Sequence, residues 1–162
     1  MLLHILLLSF ILFCPPVLNS QSKKLTEEMV NDAEKKLGVK LPKSYIELCK
    51  MQNGGSLKYC DYPTPVPTNW ADDHVNVPEI YGIGKEGILS SDYYIEEWGL
   101  PKDIVLLCGE GHWWVAFDYR NTKDNPPIIY MDLEWGADTL IFELAPDFET
   151  LVNGFFIYED EE

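Results

Sequence analysis

The sequence predicts an α+β fold, with two N-terminal helices, a mostly antiparallel sheet and a closing C-terminal helix. Three observations carry this. Apolar residues recur at helical spacing over residues 25–52, at strand spacing or in short unbroken runs over 104–144, and at helical spacing again after Asp147. A change of period from 3.6 to 2 and back marks segregated helices and strands. The chain has 162 residues, 46% of them apolar, which is enough to bury the core of one domain and too short for two ordinary ones.

The first helix opens at Thr26, a cap residue, with Glu27 and Glu28 at the positive end of its dipole. Leu25 and Val30 occupy the two positions of a hydrophobic staple, and Val30, Ala33 and Leu37 share one face. Gly38 closes it. The second helix starts near Pro42, carries Tyr45, Leu48, Cys49 and Gln52 at helical spacing, and stops at Asn53-Gly54-Gly55. Pro63, Pro65, Pro67 and Pro78 predict an exposed loop over 61–78. A short strand is expected over Tyr81–Ile83. A helix capped by Ser90 or Ser91 should reach Trp98, where Gly99-Leu100-Pro101 ends it.

The second half reads as strands. Ile104–Cys108 is an unbroken apolar run, as a buried strand requires, and Gly109-Glu110-Gly111 turns the chain. Trp113, Val115, Phe117 and Tyr119 then alternate with Trp114, Ala116 and Asp118, so the two adjacent tryptophans point to opposite sides. Residues 121–126 connect to strands over Ile128–Leu133 and Thr139–Leu144. Asp147 caps a last helix that turns Phe148, Leu151, Val152, Phe155 and Phe156 inward. There is no internal repeat. The domain spans 25–158, followed by an acidic tail at 159–162.

Residues 1–24 stand outside that domain. Met1 to Leu18 is almost wholly apolar and is broken by Pro15-Pro16. Three readings stay open. A secretory signal would be cleaved near Ser20. A membrane anchor, short for a full span, would leave Lys23-Lys24 and the domain on the cytoplasmic side. A mis-assigned start codon, with translation beginning near Met29 or from an upstream frame, is the third. A lipoprotein reading of Cys14 suffers from bulky Phe13 before it. The expectation is a cytoplasmic domain, tethered to the membrane if residues 1–20 are retained and secreted if they are a cleaved signal.

Charge narrows the function. The chain carries 27 acids and 12 bases; taking away Lys23 and Lys24, 10 bases face 27 acids from Leu25 onward, a net of −17. Such a field repels nucleic acid phosphates and speeds encounter with cationic partners. The domain has three cysteines, Cys49, Cys60 and Cys108, with no CxxC spacing, which reads as reduced, mostly buried thiols; one disulfide with one free thiol stays open.

Catalytic and metal constellations are weak. His112 with Asp118, Asp132 and Glu134 offers an oxygen-rich metal set, but its spacing matches no compact metal motif. The simpler reading makes the acids strand-end turn acceptors, with Arg120 forming an ion pair to Asp132 or Glu134 on an adjacent strand. Cys108 and His112 are close in sequence, yet Cys108 ends an apolar run and reads as an inert thiol. No acid pair stands out for glycoside chemistry, and no P-loop or GxSxG pattern occurs. No catalytic residue, cofactor or metal is expected. Trp70, Tyr81, Tyr93, Tyr94, Trp98, Trp113, Trp114, Tyr119 and Trp135 exceed what a small core must bury, and such aromatics dominate binding hot spots. The expected partner contacts are Trp70, Asp72, Asp73, Glu96, Glu97 and Trp135.

Four segments together resemble the SUKH superfamily, which groups fungal cell-wall-assembly regulators with bacterial toxin-immunity proteins. The first holds Gly38, Leu41, Pro42 and Tyr45, then Asn53, Gly54 and Gly55. The second runs from Gly109 through Gly111, His112 and Trp114 to Asp118, Tyr119 and Arg120. The third is Pro127 and the strand to Asp132, then Glu134; the fourth is the closing helix around Phe148, Leu151 and Phe155. Each motif is short, and their order over residues 25–157 carries the specificity. The resemblance implies an α+β fold without catalytic activity. In bacteria it implies an immunity protein that binds and blocks a polymorphic toxin, often a nuclease; in fungi it implies a regulatory scaffold of cell-wall assembly. The N-terminal run and the loop around Trp70 depart from the pattern.

Overall fold

A computed structural model describes residues 24–134 and 138–158. Helix α1, Glu27–Leu37, is capped by Thr26, whose hydroxyl accepts the Met29 N–H at 3.2 Å. Leu25 and Val30 are both buried beneath it. The sequence caps its C-terminus with Gly38 in the left-handed conformation, and Gly38 N–H bonds the Glu34 carbonyl. Helix α2, Lys43–Met51, follows Pro42 and buries Tyr45, Leu48 and Cys49. Gln52, expected within this helix, lies just beyond its end with extended backbone.

The region 61–78 is not one exposed loop. Strand β1, Gly55–Ser56, pairs antiparallel with β4, Glu79–Ile80, and β2, Asp61–Pro63, pairs with β3, His74–Asn76. The prolines sit at a strand end, in the 64–73 loop and in the β3–β4 connection, so Tyr62, Val75 and Val77 remain free to enter the core. The strand expected over Tyr81–Ile83 falls earlier, at Glu79–Ile80. Tyr81 still donates its N–H to the Leu107 carbonyl at 2.7 Å, which lays this segment beside the main sheet.

Helix α3, Ser91–Trp98, follows a 3₁₀ turn over Ile88–Ser90. Neither serine caps it by its side chain. Ser90 occupies the cap position but donates to the Gly87 carbonyl, whereas Ser91 donates to the Ile88 carbonyl and accepts the Leu106 N–H at 2.9 Å. Ser91 thereby pins α3 to the sheet.

That sheet is an antiparallel meander, β5 (Ile104–Gly109), β6 (Trp113–Asp118), β7 (Ile128–Asp132) and β8 (Leu140–Ala145), in that spatial order. Both of its faces are apolar. Val105, Leu107, Val115, Phe117, Ile128 and Tyr130 belong to the main core with Ala33, Tyr45, Leu48 and Phe148 from the helices. Ile104, Leu106, Trp114, Ala116, Ile129 and Met131 form a second core against Tyr94 and Ile95 of α3. Burial on two faces explains the unbroken apolar run in β5.

Helix α4, Phe148–Gly154, is capped by Asp147, which accepts the Thr150 N–H at 2.7 Å. It ends before the expected Phe155 and Phe156. Gly154 lies against the Tyr62 ring so closely that a Cβ would stand 2.5 Å from it. The chain leaves the helix there, Phe155 packs on Tyr62, and Phe156 exchanges two backbone hydrogen bonds with Asp61. Cys49 and Cys108 are buried, Cys60 is half-buried, and all three are free thiols. Trp135 and the 159–162 tail lie outside the described residues.

Candidate functional site

Antiparallel pairing puts Asp118 and Asp132 at opposite ends of the sheet: Asp118 faces Ile104, and Asp132 faces Trp113 on one side and Leu140 on the other. His112, Asp118, Asp132 and Glu134 therefore do not converge, and among the described residues no group of three or more His, Cys, Asp or Glu could hold a metal ion. Arg120 pairs with Asp118, two residues away, and not with Asp132 or Glu134. Its Nε and Nη2 donate to the two carboxylate oxygens at 2.8 Å each, and its N–H adds a third bond at 3.1 Å. The guanidinium holds the buried Asp118 carboxyl below the usual carboxylate range. Beside it Tyr119 donates to the Lys40 carbonyl at 2.6 Å, tying this sheet end to the link between α1 and α2.

The Asn53-Gly54-Gly55 motif is also a fastening. Asn53 accepts the Ile83 N–H at 2.7 Å and donates to the Ile83 carbonyl at 3.0 Å. Gly54, with φ +81°, passes so close to Gly82 that a Cβ would meet its backbone nitrogen at 2.5 Å. Tyr45 completes the clamp, donating to the Tyr81 carbonyl at 2.6 Å. A shallow cleft of about 560 Å³ lies alongside.

The Asp132 end is different, because it presents side chains to solvent. Asp132 is buried and accepts three N–H groups: the Asn69 backbone at 3.0 Å, the Asn69 amide at 3.0 Å and the Glu134 backbone at 3.1 Å. It thus latches the 64–73 loop onto β7. Within the loop, Thr68 Oγ1 accepts the N–H groups of Trp70 and Ala71 at 3.2 and 3.4 Å. Trp70, the next residue after the latch, is 59% exposed. On the other side of Asp132, the Glu134 carboxylate lies 2.8 Å from His112 Nδ1, and His112 accepts the Leu133 N–H through its carbonyl. The His112 ring stands edge-on to Trp98 at 6.3 Å. Trp98 lies over Gly111, where a φ of +100° and an indole that a Cβ would meet at 2.5 Å leave no room for a side chain. Glu110 accepts the Trp113 indole N–H at 3.1 Å. Contacts thus run unbroken from Trp70 through Asn69, Asp132, Glu134 and His112 to Trp98.

The expected contact residues distribute unevenly. Trp70, Asp72 and Asp73 lie on the latched loop, and Asp73 reaches His74 Nδ1 at 2.8 Å, where the His74 ring stacks on Tyr158 at 4.2 Å. On α3, Glu97 shares the outer stripe with exposed Tyr93, next to Trp98. Glu96 is one stripe round, lining a cleft of about 670 Å³ with Asp92, Lys102 and Asp103. Sequence reasoning missed Asn69 and Glu110, and it counted Trp98 as a surplus aromatic without placing it. Of the adjacent pair, Trp114 is buried and Trp113 is half-buried, stacked on Tyr130 at 6.1 Å. Burial pushes the Cys108 thiol up to about 12, while His112 is exposed at the sheet end, so the two make no nucleophile and base pair.

The structure defines an α+β domain whose polar motifs serve mostly as internal fastenings, with one sheet end presenting two exposed tryptophans and carboxylates. The model of the SMI1/KNR4 family (SUKH-1) matches residues 24–154, and the chain belongs to that family. Domains of this family are protein-interaction modules. No curated protein and no solved structure gives a significant match. Among the described residues no helix is long and apolar enough to cross a membrane.

Proposed function

We propose that this domain is an immunity-type inhibitor, a non-catalytic protein that binds a basic polymorphic toxin, often a nuclease, and occludes it. The observation that carries this reading is the Asp132 end of the sheet. Two indoles are held in place there on contacts to buried groups, in a domain whose net charge from Leu25 onward is −17. Rigid exposed aromatics supply binding energy at small entropic cost, and a single-sign field steers an oppositely charged partner to them. Inhibition is steric and electrostatic, with no turnover and no cofactor. The domain works on the cytoplasmic side, tethered by residues 1–20 where these are retained; a cleaved signal would instead place it outside the cell. Family membership also admits a regulatory scaffold of the cell-wall-assembly type.

Affinity capture with the tagged full chain from native cells, at low and high salt, separates these. Immunity predicts one stoichiometric basic protein, weakened at high salt, whose expression is toxic unless the chain is co-expressed. A set of wall-synthesis or signalling proteins bound at moderate affinity would sink immunity in favour of the scaffold.

A further inference from the structure

We propose that the sheet end carrying Trp70 and Trp98 is a receptor for arginine side chains of a basic partner segment, with each guanidinium laid on an indole and forked to a neighbouring carboxylate. This rests on the reading of the domain as a protein-binding module and narrows the chemistry of its partner.

Both indoles are exposed yet positioned. Trp70 is 59% exposed on a loop latched by Asp132, and Trp98 is 43% exposed and seated on Gly111. Their surroundings carry one sign of charge. Asp72 and Asp73 follow Trp70, Glu97 precedes Trp98, and Glu110 and Glu134 flank Gly111 and His112; all five carboxylates are exposed. The basic groups among them, His74 and His112, are already paired with Asp73 and Glu134. There is no Lys or Arg between Lys58 and Lys85, between Lys85 and Lys102, between Lys102 and Arg120, or after Lys123. Those stretches supply the 64–73 loop, α3, the 109–112 turn and the end of β7. No Lys or Arg from within these segments therefore occupies the indoles. Asp132 spends its charge inward on the Asn69 and Glu134 N–H groups.

This combination selects arginine over lysine. A guanidinium is planar, weakly hydrated and able to stack on an indole while its edge donates two bonds to a carboxylate. A lysine ammonium of the same charge gains the field but not the stacking geometry.

The test uses the full chain and two acetylated homopeptides of about ten residues, one of arginine and one of lysine, with binding followed by calorimetry at about 50 mM salt, where surface charge is weakly screened. The arginine peptide should bind roughly fivefold more tightly than the lysine peptide, and Trp70→Leu and Trp98→Leu should each weaken it about two- to fivefold while leaving lysine binding nearly unchanged. Trp70→Leu alone keeps the test decisive if Trp98→Leu, which loses its packing on Gly111, unfolds. Equal affinity for the two peptides, or an arginine preference that survives Trp70→Leu undiminished, would overturn the proposal. The assay needs no native partner. Its failure removes the arginine receptor and leaves immunity standing; an empty capture from cells removes immunity and leaves any measured arginine preference intact.

Discussion

Asp132→Ala should release the Trp70 loop from the sheet. Asp132 is 2% exposed and among the described residues is the sole acceptor for three N–H groups, two from Asn69 and one from Glu134. A hydrogen bond to a charged group contributes about 1.5–3 kcal/mol net, and a buried donor left without an acceptor costs about as much again. The latch lies at the end of β7, beneath a surface loop, so water can reach part of the vacated site, and the expected loss is about 3 kcal/mol rather than the full sum. For a domain of this size that corresponds to a fall in melting temperature of roughly 10 °C. Asp132→Asn keeps one acceptor oxygen but turns its NH₂ toward at least one of the three N–H donors, and should lose roughly half as much. Hydrogen exchange is the more specific assay: the amides of Asn69 and Glu134 should exchange faster in Asp132→Ala, and Asn69→Ala should add little further destabilisation, because both changes break one unit. A melting temperature within about 2 °C of wild type, with the Asn69 amide still protected, would refute the latch.

Three further outcomes follow from the same contacts. The Asp118 carboxyl titrates lower in the folded protein than in the unfolded chain. Its pairing with Arg120 therefore stabilises fully above the unfolded carboxylate value, about pH 4, and that stability is lost as pH falls through the lower folded value. Urea midpoints of Arg120→Met should accordingly depend less on pH between about 2 and 4 than wild type, and equal slopes would remove the pair from the acid response. Burial pushes the thiols of Cys49 and Cys108 up to about 12, so in a Cys14→Ser background a disulfide reagent at neutral pH should label half-buried Cys60 first and reach the other two only on unfolding; prompt labelling of all three would contradict the packing. Gly54→Ala forces a Cβ onto the Gly82 backbone in a left-handed conformation, which should cost roughly 3 kcal/mol by chemical denaturation. A loss under about 1 kcal/mol would mean that the two loops part easily.

Much of the fold was legible because its signals are local. Thr26 and Asp147 cap their helices, Gly38 ends one, and the meander from Ile104 onward alternates or runs apolar as its burial demands. The misses arose where a local signal competed with a tertiary one. Four prolines suggested a loop over 61–78, but each fell where a strand ends or turns, and Val75 and Val77 are buried in the main core that the helices and the sheet complete. Phe156 continued a helical spacing, yet the Tyr62 ring beside Gly154 fixed the exit of α4 and sent Phe156 to pair with Asp61. The candidate face was legible only in parts. Trp70 and its acidic neighbours stood out by composition, whereas their link to Trp98 runs through Asn69 and Asp132, 63 residues apart, and no spacing rule connects such a pair. Arg120 shows the same limit: Asp132 and Glu134 were its expected partners, but strand register puts Asp132 at the far end of the sheet, and Arg120 pairs with Asp118 two residues away.

The proposed inhibitor should neutralise its partner by stoichiometric occlusion. The direct measurement is a titration of the captured basic protein's own activity, or of its toxicity in a cell-free assay, against the purified full chain at low salt. An occluding inhibitor should give a linear loss that reaches zero at one chain per partner, with the partner intact afterwards and activity restored at high salt. Complete inactivation by a small fraction of an equivalent, with the partner covalently changed, would reveal an enzyme. A tight complex that leaves the activity untouched would reveal a scaffold, and either result would contradict the account.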